Sequence, residues 1–315
     1  MEGNMTIRHL RIFTEVCSCG SVTGAAKKLY LAQPSVSLAI RELEEHYGVK
    51  LFDRIARRLD LTEAGARLLT YATHIISLFD DMERDVRQFD GQRVRVATSL
   101  TIGTCLLPEL AKRFAEIHPE IELQAMIENS EWVIEGVLAN NYDFAMVEAV
   151  PDDPQLFTEQ LMPDELAAIC APGHPFLTKE GGVSAADFAA QRIIMREKGS
   201  GTRELFDSVM LVHNIKAKPF WESANTQAII AAVSAGIGVS VLPEKLLEEA
   251  LLEGKVCRLS LRDVSFRRSF YLIWHRNKYL SPAAQDFMEL CRGLHKKNGG
   301  ENEADYNSQY EQDGY

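Results

Sequence analysis

The sequence predicts an α/β protein headed by a small, mostly helical winged helix-turn-helix, and three observations predict it. Residues up to 62 read as three short amphipathic helices and a hairpin, a long heptad-patterned helix follows, and past Gln92 strands alternate with helices. At 315 residues with 46% hydrophobic content the chain has material for more than one core, so two or more domains are expected.

The first helix is read over residues 6–17, where Ile7, Leu10, Phe13, Val16 and Cys17 fall at steps of three and four, and Gly20 ends it. Ser21 is read as the N-cap of a second helix through Tyr30, whose Ala25, Ala26 and Leu29 let another helix cross closely. The third helix begins at Gln33. Pro34 suits a first turn, where a missing N–H is harmless, and Val36, Ile40, Leu43 and Tyr47 make an apolar stripe. Gln33, Ser35 and Ser37 are compact polar groups of the size that approaches base edges and phosphates in a major groove. With Pro34 and Arg41 they form the candidate DNA-reading set of this helix.

Gly48 closes the third helix, and residues 49–54 and 57–61 read as two short strands around a turn, a wing. Arg54, Arg57 and Arg58 on it would reach phosphates or a minor groove, which gives affinity with little sequence information. Charge supports a local patch. The net charge is -11, whereas residues 1–62 hold nine Lys/Arg against seven Asp/Glu, so any attraction for nucleic acid is confined to this end. Thr62 then reads as the N-cap of a long helix in which Leu68, Ala72, Ile75, Phe79, Met82, Val86 and Phe89 recur in steps of four and three, the pattern of a seam facing a partner helix. The alternative is a helix packed on its own domain.

At this point residues 5–92 resemble the N-terminal half of a LysR-type transcriptional regulator. The motifs that carry the resemblance are Ala25-Ala26-Lys27-Lys28-Leu29, Gln33-Pro34-Ser35-Val36-Ser37, Leu43-Glu44, Leu51-Phe52-Asp53-Arg54 and Leu61-Thr62-Glu63-Ala64-Gly65, in order and at the family's spacings. Two departures stand out: Ala32, where the family often has Ser or Thr, and Leu38-Ala39, where it often has Arg or Gln. Base readout here is therefore expected to lean on Gln33, Ser35, Ser37 and DNA shape.

Beyond Gln92 strands are read at 93–97, 121–127, 143–148, 192–195, 220–223, 238–242 and 269–274, and helices at 101–118, 130–140, 202–212, 226–235 and 282–295, with a further helix begun by Pro243. The resemblance implies a bilobal, periplasmic-binding-protein-like (Rossmann-like) effector domain crossed twice by the chain. The expected division is a DNA-binding domain at 5–63, a linker dimerisation helix at 64–92, a first lobe at 93–161 with 268–297, a second lobe at 162–267, and a disordered acidic tail at 298–315.

In open α/β sheets ligands sit where strands end and helices begin. Ser99, Thr101, Asn129, Ser200, Thr202 and Thr226 lie at such points, and in the related regulators the effector occupies the interlobe cleft. Gly199-Ser200-Gly201-Thr202-Arg203 adds a flexible turn and a cationic fork, so a small carboxylate or inorganic oxyanion is the expected ligand. The Lys of a Walker motif is absent from this run.

An enzyme and a ligand-binding module with a vestigial DNA-binding half are the competing readings. The eight histidines form no H-x-x-x-H pair and there is no G-x-S-x-G elbow. Glu148 at a strand end reads as a hydrogen-bond acceptor. Six scattered cysteines without a C-x-x-C pair suggest reduced structural thiols rather than a metal site, so no metal or cofactor is expected. No apolar run approaches a membrane span, so the cytoplasm is expected and a membrane partner is not. The expected partners are double-stranded promoter DNA, a small anionic effector and other copies of the chain, with a dimer or tetramer and a contact to RNA polymerase left open.

Overall fold

The computed structural model describes residues 5–55, 58–87 and 93–298. The chain divides into two compact units, Met1–Gly91 with Leu138–Asn141, and Gln92–Val137 with Tyr142–Tyr315.

The first unit opens with α1 (Ile7–Cys19), α2 (Val22–Lys28) and α3 (Gln33–Tyr47). Local chemistry sets their ends. Gly20 and Gly48 close α1 and α3 at φ 57° and 68°, the left-handed region that a residue without Cβ enters freely, and the Ser21 hydroxyl accepts the Gly24 N–H to start α2. Leu10, Ile12, Phe13 and Val16 of α1 pack with Ala25 and Ala26 of α2 and Val36, Ala39, Ile40 and Leu43 of α3. The expected stripe of α3 stops one turn early: Tyr47 is exposed and its hydroxyl reaches the Met5 sulfur, because Gly48 turns the chain away before residue 47 can meet the core.

The wing is an antiparallel hairpin of β1 (Phe52–Ile55) and β2 (Arg58–Leu61), registered from Phe52 opposite Leu61 to Ile55 opposite Arg58. Arg57, Phe89 and the tail from residue 299 lie outside the described residues. A long helix, α4 (Glu63–Arg87), follows. Its expected seam divides. Ala72 is fully buried in the core made by α1, α2 and α3, and Leu68 packs against that core, whereas Ile75 and Met82 are exposed and Phe79 is half-buried. Leu68 and Ala72 of the heptad thus serve their own domain, and α1 lies against α4, with an Arg11–Asp80 ion pair joining the two helices.

The second unit is built on a seven-stranded mixed sheet. Its strands are β3 (Arg93–Thr98), β4 (Glu122–Ile127), β5 (Phe144–Val147), β6 (Leu156–Cys170), β9 (Ser240–Pro243), β10 (Cys257–Leu259) and β11 (Phe266–His275), and a small parallel pair, β7 (Ile193–Met195) with β8 (Pro219–Glu222), stands apart. The path runs β10-β6-β11-β5-β3-β4, with β9 also on β6. Around it pack α5 (Leu100–Cys105), α6 (Leu107–Ile117), α7 (Ser130–Leu138), α8 (Ala185–Ala189), α9 (Gly201–Val212), α10 (Thr226–Ser234), α11 (Glu244–Leu252) and α12 (Pro282–Asn298). The single helix expected over residues 101–118 is two. Leu106 ends α5 and starts α6, and Pro108, with no N–H to give the preceding turn, sits in the first turn of α6.

Residue 162, where the second lobe is expected to begin, lies inside a strand, β6. β6 and β11 are long strands that run as one antiparallel pair from Phe266 opposite Leu166 to His275 opposite Leu156, with a register shift between Phe270 and Tyr271. One hydrophobic core gathers Leu161, Met162, Phe270 and Leu272 with β3, α6 and α12; a second gathers Leu166, Ala168, Cys170 and Phe266 with α8, α9 and β7. The strands between these cores carry Asp164 opposite Arg268. A short stretch of the same ribbon, then, belongs to neither core.

Candidate functional site: a buried ionic floor and a helix-turn-helix

Arg268 is the centre of the second unit's site. Its Nε donates to Asp164 Oδ2 at 2.8 Å, its Nη1 to Glu148 Oε2 at 2.8 Å and to the Thr202 hydroxyl at 3.2 Å, and its Nη2 to the Thr101 hydroxyl at 3.4 Å. The side chains of Arg268, Glu148 and Asp164 are 4%, 3% and 1% exposed, so two carboxylates share one guanidinium away from water. Burial, opposed by Arg268 and reinforced by the charge of Glu148, pushes the Asp164 carboxyl above its ordinary range. Glu148 also accepts the Thr101 N–H at 3.2 Å, which places a carboxylate of the protein itself at the start of α5.

The second unit also holds buried hydroxyls at the starts of its helices. Ser99 and Ser200 occupy the N-cap positions of α5 and α9 without capping through their side chains, and both are buried. The Ser99, Ser130 and Thr226 hydroxyls and Asp164 Oδ1 are buried with no hydrogen-bond partner. Gly201 is what lets α9 approach: a Cβ there would lie 2.9 Å from Glu148 Cβ and 3.2 Å from the Ser130 hydroxyl. Gly199, at φ 80°, accepts the Glu131 N–H through its carbonyl, so the turn before α9 lies directly on the start of α7.

The residues named from sequence fall into three groups. Thr101 and Thr202 contact Arg268 on the floor, and Ser99 and Ser200 are buried at the N-caps of the same two helices. Thr226 heads α10 beside Asn225, whose side chain caps that helix, and Asn129 likewise spends its Oδ1 on the Trp132 N–H as an ordinary cap. Arg203, expected as a cationic fork, is buried and bound to Asp207 at 2.7 Å, Glu222 at 3.2 Å and the Arg196 carbonyl. Two carboxylates already satisfy its charge. Asp164 and Arg268 were missed; the one available signal was charge at inward positions of otherwise apolar strands, Asp164 two residues before Leu166 and Arg268 between Phe266 and Phe270.

In the first unit α3 presents Gln33, Pro34 and Ser35 to solvent, with Ser37 half-buried. The Gln33 Nε2 donates to the Ser37 hydroxyl at 2.8 Å, and Arg41 lies 3.8 Å from Glu45 along the exposed face. Ala32 is the N-cap and offers no side-chain cap. The motifs after α3 make one joint. Glu44 takes Lys50 Nζ at 2.6 Å and the Leu51 N–H at 2.9 Å; the Thr62 hydroxyl donates to the Lys50 carbonyl at 2.7 Å and accepts the Gly65 N–H. Burial raises the Glu44 carboxyl, but these donors outweigh it and hold Glu44 below its ordinary value. A Cβ on Gly65 would meet the Leu51 carbonyl oxygen at 2.1 Å, so only glycine lets α4 start against the base of the wing. Recognition helix, wing and linker helix are thereby fixed to one another.

Residues 7–66 match the model of the bacterial regulatory helix-turn-helix protein, lysR family, and residues 87–295 that of the LysR substrate binding domain. The chain belongs to the LysR family of DNA-binding transcriptional regulators. It is 33% identical over 288 residues to the helix-turn-helix transcriptional regulator YeiE of Escherichia coli strain K12, covering 91% of this chain and 97% of that one. Among solved structures it is similar to the effector-binding domain of QuiR in complex with shikimate, at 25% identity and TM-score 0.59, over 65% of this chain and 98% of that one. It is similar also to the regulatory domain of CcmR from Synechocystis PCC6803 in complex with 2-PG, at 25% identity and TM-score 0.60 over the same shares. The chain is thus a regulator with an effector-binding domain, and its relatives are regulators rather than enzymes. Among the described residues no group of His, Cys, Asp or Glu is placed to hold a metal ion, and no helix is long and apolar enough to cross a membrane.

Proposed function

We propose that the protein is a cytoplasmic, self-associating regulator that reads double-stranded promoter DNA through Gln33, Pro34, Ser35, Ser37 and Arg41 of α3 and Arg54, Arg57 and Arg58 of the wing, under control of a small oxygen-rich anion. The observation that carries the effector assignment is the set of buried, unpartnered hydroxyls of Ser99 and Ser130 beside an ionic floor whose only guanidinium is already shared. Buried polar groups without partners are rare, and acceptor oxygens of a ligand would satisfy them. Such a ligand is held by O–H and N–H donors of Ser99, Ser130, Ser200 and Thr226 and not by a free Arg, which favours a small carboxylate or oxyanion of low charge over a multiply charged one. Self-association is supported by the exposed row Tyr71, Ile75 and Met82 on α4, and a two-fold DNA site needs a second copy.

A mobility shift on duplex DNA from upstream of the gene tests the first part. Arg54→Ala and Arg58→Ala should each weaken binding to all sequences and reduce the slope of log K against log salt by about 1, whereas Gln33→Ala should relax sequence preference, about 1–3 kcal/mol at the affected base pair. Binding insensitive to salt would overturn the DNA reading. Calorimetric titration with a panel of small anions tests the second part: Ser99→Ala should weaken whichever anion binds the parent protein, and an effector that proved cationic or wholly apolar would sink it.

A further inference from the structure

The edge of the sheet in the second lobe sets two cysteines opposite each other. β10 pairs antiparallel with β6 in the register Cys257 opposite Cys170, Arg258 opposite Ile169 and Leu259 opposite Ala168. Residues directly opposed in antiparallel strands point to the same face, with Cα atoms about 4.5–5.5 Å apart, which falls inside the roughly 4.4–6.8 Å that disulfides span. The faces agree with the packing. Leu166, Ala168 and Cys170 alternate along β6 into the second lobe's core, Ala167 and Ile169 face the opposite layer, and Cys257 and Leu259 pack into the same core as Cys170. No other strand register among the described residues pairs two cysteines.

We propose that Cys170 and Cys257 are a thiol-oxidation site, closing to a cross-strand disulfide when the protein meets a small disulfide such as glutathione disulfide. Both are free thiols in the structure, Cys170 buried and Cys257 half-buried. That difference sets the order of events. Cys257, the accessible partner on an edge strand, attacks one sulfur of glutathione disulfide as its thiolate; a protein–glutathione mixed disulfide forms and one glutathione leaves, taking up a proton. Cys170 loses its proton and attacks the Cys257 sulfur, and the second glutathione leaves. The protein dithiol is oxidised by two electrons and glutathione disulfide is reduced to two glutathiones. Burial first, and the neighbouring Cys257 second, push the Cys170 thiol up to about 11, so it is unreactive toward outside reagents and reacts only with a sulfur delivered next to it.

The bond would tie the two ends of segment 171–256, most of the second lobe, at the sheet edge. Cys170 lies six residues past Asp164 on the same strand, about 20 Å at the rise of an extended chain, so the ionic floor is left untouched. The modification therefore stiffens one lobe without entering the cleft.

The full-length protein, incubated with excess glutathione disulfide, acid-quenched, denatured and alkylated, is digested and read by mass spectrometry. The expected result is a linked peptide pair containing Cys170 and Cys257, four of the six cysteines still alkylated, reversal by dithiothreitol, and a melting temperature several degrees above that of the reduced protein. Cys257→Ser should show neither the linked pair nor the oxidant-dependent shift. Full alkylation of both cysteines, a stable glutathione adduct on Cys257 without the cross-link, or linkage of either residue to a different cysteine would each overturn the proposal.

Discussion

The recognition helix and the cleft floor handle polar groups in opposite ways. On α3 the side chains proposed to read DNA are mostly exposed and have local contacts, Gln33 donating to Ser37 and Arg41 lying 3.8 Å from Glu45, so that trading those contacts for DNA would be close to an exchange of equals. In the cleft the groups are buried, the charges are unequal, and several hydroxyls have no partner. Under the proposed roles, the first surface would bind because it gives up little, and the second because a ligand would supply partners its hydroxyls lack.

The comparison can be broken most decisively at Arg268. Arg268→Gln leaves Glu148 and Asp164 buried without a cation and should cost about 3–5 kcal/mol in a urea unfolding titration; a loss under about 1 kcal/mol would mean that the floor is solvated and unlike a buried site. Asp164 tests the charge imbalance. Its folded-state pKa is raised, so as pH climbs from the unfolded value near 3.8 the native state keeps a proton the unfolded chain has lost, and stability falls with pH until the folded-state pKa is passed. Asp164→Asn should remove that fall and leave the protein at least as stable as the parent at neutral pH, because Glu148 and Arg268 then pair one to one. Melting profiles of the two proteins that run parallel from pH 4 to 8 would contradict this. The smallest effect is expected on the exposed side. Ala32→Ser supplies the missing N-cap of α3 and should raise stability by about 0.5–1 kcal/mol, read as a shift in denaturant midpoint at constant slope.

The same contrast explains what could be read from the amino-acid sequence. Helices α1 to α3 and their ends were legible because their causes are local: a glycine at each C-terminus, Ser21 before α2, an apolar period of 3.6. That Ser99, Thr101, Ser200 and Thr202 stand where helices begin was legible for the same reason, as small polar residues after strands. The floor was not, because Asp164 and Glu148 are 104 and 120 residues from Arg268 and meet it only through the pairing of β6, β11 and β5. The partners of Arg203 were hidden for a related reason. Its position beside a glycine turn suggested a ligand, while Glu222 on β8, 19 residues on, decides where its charge goes. In α4 the period alone could not tell a seam for another chain from a face for α1, and of its heptad positions Ala72 is buried while Ile75 is exposed.

The continuous β6–β11 ribbon has a mechanical meaning. Two lobes joined by loops could swing freely, but a pair of hydrogen-bonded strands resists bending in its plane and yields mainly to twist, so any relative motion of the two cores is torsional, small in amplitude and shared over many residues. The ladder's irregularity between Phe270 and Tyr271 lies two residues from Arg268, where the ribbon is weakest in torsion. A ligand bound at the ionic floor, as proposed, would act on that torsion near the irregularity of the ladder, and the effector domain would then behave less like a jaw on a hinge than like a short torsion bar gripped at its middle.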